Sequence, residues 1–280
     1  MRQCGPRMSQ LDVPEVGLIG AGRIGTALAL LANDHGAPIP LWQRLTQPAL
    51  RGTEACGLQE LAAGTPLLLC SRNDQLADIL AALPPERRAD AVLVQNGMLR
   101  SFLAEQGLSG LTRGLLFFAV NQRGERPVPG GVNPLCGPHA VRVARWLCSL
   151  GLQAKAVSAP EFAAIEVEKL LWNSVFGLLC QVYQQPVSQV ALAHEAEVVA
   201  LVHELLPVAL TAAPEAIGLL GQAEQEQALT HRLCAYSAEL GGYQASVKEW
   251  PWRNGWFVTA AQARDLSTPI HDQWLRQIGR

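Results

Sequence analysis

Val16-Gly17-Leu18-Ile19-Gly20-Ala21-Gly22-Arg23-Ile24-Gly25 is the stretch whose reading decides the fold class. A short apolar run reads as a buried strand, a G-x-G-x-x-G turn follows at once, and Arg23 to His35 reads as a helix closed by Gly36. In such a turn the first glycine permits the tight bend, the second lets backbone approach a pyrophosphate, and the third allows close helix–strand packing. The phosphates of a dinucleotide would sit on free N–H groups at the positive end of the helix. Gly20, Ala21, Gly22, Arg23, Ile24 and Gly25 are therefore candidate cofactor contacts. A glycine-rich turn without a ligand is the plainer alternative. The second strand through Ile39, Leu41 and Trp42, in register behind the helix, argues against it.

Working outward, Leu67 to Cys70, Ala91 to Gln95 and Leu115 to Val120 read as further buried strands, with helical patterns such as Gln75 to Leu83 between them. This alternation predicts a parallel sheet covered on both faces. A helix near residues 138–150 and a strand near 152–157 complete a first domain over residues 16–157. Ser158-Ala159-Pro160-Glu161 then has the spacing of a capping box, with a proline in the first turn where its missing N–H costs nothing. Only helical patterns follow, so residues 158–280 are expected to form an all-helical second domain. Residues 1–15 lack the apolar core of a signal peptide and read as a disordered lead-in, with Met8 as a second candidate start.

Composition narrows the function. The chain has 280 residues, 49% of them hydrophobic and only 16% charged. The low charge predicts that extra surface is buried, most simply in a homodimer. A formal net charge of −2 offers no general attraction to nucleic acid or to an anionic membrane. No apolar run approaches the roughly 18 residues that span a bilayer. The seven cysteines never fall in a C-x-x-C pair, which predicts reduced thiols, a cytoplasmic protein and no structural metal.

The cofactor type follows from the end of the second strand. Arg44 stands nineteen residues after Gly25, where NAD-binding proteins usually carry an acid for the ribose hydroxyls. A guanidinium suits a 2′-phosphate, which predicts NADP, with Arg51 close enough in sequence to assist. A solvated arginine at a strand end is the alternative. In the second domain, the helix opened by Ser158 is apolar nearly all round yet carries Lys169 and Asn173, four residues apart on one face. A buried ammonium has a readily lowered pKa, so Lys169 is a candidate proton donor to a carbonyl oxygen that gains negative charge. A surface lysine beside an amide is the alternative.

These residues resemble the ketopantoate reductase (2-dehydropantoate 2-reductase) family along nearly the whole chain. The resemblance lies in the glycine turn, Asn96-Gly97-Met98 after a strand, and Glu166-x-x-Lys169-Leu170-x-x-Asn173 at the helical domain's start. Near the C-terminus it lies in Glu249, Asn254-Gly255 and Thr268-Pro269, with Ser237 twelve residues ahead of Glu249. The resemblance implies NADPH-dependent reduction of a small 2-keto acid in pantothenate biosynthesis, with Lys169 as general acid and Glu249 positioning it or the substrate hydroxyl. It implies Asn96 beside the nicotinamide and substrate, Asn173 on the substrate, and Ser237 on its carboxylate. Bland roles stand beside these: Glu249 as a helix-start acid, Ser237 as a plain helix residue, Asn96 as turn chemistry before a glycine.

The chain departs from the family pattern in three places. Arg72 of Arg72-Asn73-Asp74-Gln75 replaces a lysine, which changes a point charge to a fork and keeps Arg72 among the cofactor contacts. Gly177 stands where a second substrate-binding asparagine is expected, which predicts added room. Trp250-Pro251-Trp252 follows Glu249, which predicts a more apolar pocket. Two other functions are carried forward: a non-catalytic NADPH-binding sensor, and a reductase of an imine or other small carbonyl.

Overall fold

The computed structural model describes residues 16–44, 47–48 and 61–280. The expected lead-in, Met8, Cys4, Cys56 and Arg51 lie outside the described residues. Two units emerge: residues to Val94 with Leu111–Ala156, and Gln95–Gly110 with Val157–Arg280. In chain order the elements to Ala156 are β1 (Gly17–Ile19), α1 (Arg23–Asp34), β2 (Leu41–Arg44), β3 (Gln47–Pro48), β4 (Leu67–Leu69), α2 (Leu76–Ala82), β5 (Ala91–Leu93), α3 (Arg100–Glu105), β6 (Thr112–Gly114), β7 (Phe118–Ala119), β8 (Val128–Pro129), β9 (Asn133–Cys136), α4 (Ala140–Ser149) and β10 (Ala154–Ala156).

The first unit is an eight-stranded sheet of order β10-β9-β6-β5-β4-β1-β2-β3. Its centre is parallel, because β1, β4 and β5 are apolar at every position and need cover on both faces. β1 pairs in parallel with β2 on one side and β4 on the other. The chain thus reverses its march across the sheet at β1, and in such sheets ligands bind beyond the carboxyl ends of the strands at that switch point. The glycine turn leaves the sheet there.

One strand expectation is corrected. Leu115–Val120 is not a single buried strand: Thr112–Gly114 extends the sheet from β5, while Phe118–Ala119 pairs with Val128–Pro129 in a separate ribbon. The chain leaves the sheet where the Phe117 N–H donates to Asn133 Oδ1 at 2.7 Å.

The second unit consists of helices α5 (Ala159–Tyr183), α6 (Val187–Ala193), α7 (Glu195–Ala212), α8 (Ile217–Leu220), α9 (Ala223–Glu239), α10 (Asn254–Gln262) and α11 (Pro269–Gln277), together with α3. α5 starts at the capping box: the Ser158 N–H donates to Glu161 Oε2 at 2.9 Å, and the Glu161 N–H returns to Ser158 Oγ. Its Leu170, Leu171, Val175, Phe176 and Leu179 are at most 1% exposed and form the heart of this unit's core. Burial of this kind stabilises by roughly 1.5–3 kcal/mol per large apolar side chain.

Gln95–Gly110, read from sequence as part of the first domain, clusters with these helices. Arg100 bridges the buried Glu166 on α5 (2.7 Å) and Glu215 (3.0 Å), and Met98 is 1% exposed in the helical core. Among the described residues no single helix is long and apolar enough to cross a membrane.

Candidate active site

The glycine turn is held in a conformation and a closeness that side chains would not allow. Gly20 has φ +111°, and a Cβ there would lie 2.8 Å from the Cys70 carbonyl carbon, so only glycine fits. A Cβ on Gly25 would fall 2.0 Å from Gly20 O, which is how close α1 packs on the turn. Gly22 is exposed, and its missing Cβ would meet nothing nearer than Cys70 O at 3.9 Å. Among the described residues no side chain caps α1, and its first turn carries no acid, which leaves its positive end suited to an anion.

The neighbouring candidates are less uniform. Arg23 is exposed and reaches Asn121 O at 3.4 Å. Ile24 is partly buried, and Ala21 is buried. Arg44 ends β2, its backbone opposite Gln47 in a tight antiparallel pairing. Arg72 forms a two-toothed pair with Asp74 (3.1 and 2.8 Å), both largely exposed. Such exposed pairs contribute about 0–1 kcal/mol, so Arg72 can exchange Asp74 for an anion at little cost.

In the second unit the candidates gather at the junction of α5 with the turn before α10. Lys169 is partly buried, and burial, helped by the positive charge of Arg253, pushes its pKa down from 10.5 to about 7. Asn173, one turn on, donates its Nδ2 to Lys169 O at 2.7 Å, leaving the amide oxygen and second N–H for other partners. Glu249 has φ +48° and opens the short turn Trp250–Trp252; its carboxylate pairs with Arg253 at 2.6 Å. Asn254, the residue after Arg253, is fully buried and donates to Ser174 O at 3.1 Å, which binds the start of α10 to α5 beside Asn173. Asn254 Nδ2 also meets His271 Nε2 at 3.1 Å, and burial lowers His271 to about 4, so this imidazole is neutral and accepts.

Asn96 is partly buried and precedes Gly97, whose φ is +95° and whose Cβ would lie 2.6 Å from Trp252 O. The Met98 N–H donates to that same oxygen at 2.9 Å. The Asn96 turn and the Trp252 turn are thus pressed together.

Ser237 and Gly177 sit in closer surroundings than their sequence positions suggest. Ser237 is fully buried; its single O–H donates to Leu233 O (2.8 Å) and its oxygen accepts from Trp172 Nε1 (2.9 Å). A carboxylate needs a donor, and this hydroxyl has only one, already spent within α9. Gly177 does not leave room: a Cβ there would lie 3.0 Å from Ser246 O, because the main chain of Ser246–Val247 closes over it. Sequence reasoning missed Arg253. An arginine inside the apolar run that opens a buried helix was the signal.

The chain has a ketopantoate reductase-like fold: a parallel-sheet domain carrying the glycine turn, followed by an all-helical domain. Among the solved structures sharing it is D-mandelate dehydrogenase with NADH and anilino(oxo)acetate, at TM-score 0.67 and 14% identity over 94% of this chain and 97% of that one. The 2-dehydropantoate 2-reductase from Geobacter metallireducens GS-15 matches at 0.67 and 16%, over 94% and 98%. A dimeric ketopantoate reductase from Staphylococcus aureus matches at 0.61 and 15%, over 94% and 97%. No protein-family model and no curated protein sequence matches the chain.

Proposed function

We propose that this chain is an NADPH-dependent reductase of a small 2-keto acid. The observation that carries the reading is the placement of Lys169, half-buried on α5 with Asn173 one turn on; burial there pushes its pKa down to about 7, so it can hold a proton at neutral pH and give it up readily. The open glycine turn supports a dinucleotide, Arg44 supports a 2′-phosphate, and the two neighbouring enzyme classes act on NADH or on keto acids by name. The nicotinamide, when bound, supplies the hydride. Lys169 donates its proton to the carbonyl oxygen as the carbonyl carbon is reduced, so the product is a 2-hydroxy acid and the amine regains a proton from solvent. Asn173 contributes its free amide groups to the substrate, and Glu249 acts through Arg253. The dimeric neighbour supports a homodimer here.

The test is NADPH oxidation followed by absorbance against a panel of 2-keto acids, with Lys169→Ala beside the wild type. The variant is expected to keep NADPH binding, whose phosphate contacts lie in the other unit, and to lose about 10²–10⁴ in turnover. A Lys169→Ala protein working at the wild-type rate overturns the mechanism. A wild type oxidising NADPH with none of the acids overturns the function.

A further inference from the structure

The Ser237 hydroxyl donates to Leu233 O, and the junction of α5 with the turn before α10 holds a donor better suited to a carboxylate. Arg253 is 8% exposed, yet its Nε makes no hydrogen bond among the described residues; only Nη2 is occupied, by Glu249. A buried guanidinium has five N–H donors, and leaving one unpaired is costly unless a ligand takes it. Its place is fixed from both sides. Asn254, the next residue, is bonded to Ser174 beside Asn173, and Trp252, the previous one, accepts from Met98 N in the Asn96 turn. Ser174 Oγ and Asn254 Oδ1 are also buried without a partner at this junction, so unspent polar groups concentrate there.

The charges agree. Arg253 brings a positive charge close enough to Lys169 to help lower its pKa, and a bound carboxylate would meet that charge where water is scarce. Arginine also suits the task by shape, because its planar fork meets a carboxylate with directed hydrogen bonds.

We propose that Arg253 anchors the carboxylate of the substrate, and so selects 2-oxo acids over uncharged carbonyl compounds. The inference rests on the keto-acid reading above. Glu249 then holds the guanidinium by one nitrogen, Nη2, and the substrate carboxylate takes donors that this pair leaves unspent. The carbonyl end is then the part of the substrate that falls to Lys169 and Asn173.

The test is calorimetry on the NADPH-loaded protein with anilino(oxo)acetate and, as control, its uncharged primary amide. The wild type is expected to prefer the acid. Arg253→Gln is expected to weaken acid binding by about tenfold to a hundredfold, the scale of a charge-assisted hydrogen bond, and to leave the amide within about threefold. Arg253→Lys keeps the charge without the fork and should fall between them. Should the glutamine variant fail to fold, the lysine variant decides, since it too must weaken the acid and spare the amide. Equal losses for acid and amide, no loss for the acid, or a wild type without preference overturn the assignment. If the acid binds through Arg253 but no keto acid is turned over, the reductase reading falls and the anchor stands.

Discussion

Replacing Lys169 by methionine tests the site without any substrate. Methionine keeps an unbranched chain and removes the ammonium, so the variant isolates the cost of holding a charge on α5. In the folded protein this lysine has a pKa of about 7, against 10.5 without its surroundings. Between these values the unfolded chain binds more protons at this residue than the folded one, so stability rises with pH through that window. Where the lysine is fully protonated, below about pH 7, the linkage makes folding less favourable by about 5 kcal/mol. At pH 7 the same relation leaves about 4 kcal/mol, and at pH 9 about 2 kcal/mol. Lys169→Met is therefore expected to be the more stable protein at pH 7, with its advantage halved by pH 9. Denaturant midpoints of both proteins at pH 7, 8 and 9 supply the comparison. Burial raises the thiols Cys70, Cys180 and Cys234 to about 12, 11 and 11, but these are common to both proteins and cancel in the difference. Parallel pH dependences, or a variant less stable at pH 7, would refute the claim that burial holds Lys169 near neutrality.

Arg44→Ala is expected to erase most of a preference for NADPH over NADH, a change of about 1.5–3 kcal/mol for one charge-assisted contact. Fluorescence titration with both cofactors checks this, and a wild type that binds NADH as well as NADPH refutes it. Ser237→Ala is expected to leave the KM for a keto acid within about threefold, since its only donor is spent on Leu233 O, while lowering stability by about 1–3 kcal/mol through the orphaned Trp172 N–H. A large rise in KM with unchanged stability would return Ser237 to the substrate.

What the sequence makes legible here is what neighbours along the chain decide. The glycine turn, the capping box at Ser158 and the apolar strands β1, β4 and β5 depend on contacts a few residues apart. Each is found close to where the pattern puts it. β6 escaped notice because Thr112 and Arg113 are polar and Gly114 has no side chain, although Thr112 and Arg113 are 0% and 8% exposed. β9 was hidden by Pro134, which strand patterns normally exclude. The segment Gln95–Gly110 follows a strand, so local reading keeps it with the sheet. What draws it to the helices is an ion pair between Arg100 and Glu166, sixty-six positions apart.

The same distinction divides the candidate site. Lys169 was legible because it stands in a helix apolar nearly all round and shares a face with Asn173, four residues on. Arg253 was not, because its burial depends on how the turn before α10 is fastened to a distant helix. Glu249 sits across a left-handed turn, and Ser174 is bonded through the next residue at a separation of eighty positions. Ser237 presents the opposite case. Its spacing from Glu249 fits the pattern, but spacing says nothing of whether a hydroxyl still has its proton to offer. A motif names the residues near the chemistry. The hydrogen-bond inventory shows which of them retain a free donor, and at this junction it favours the guanidinium over the hydroxyl.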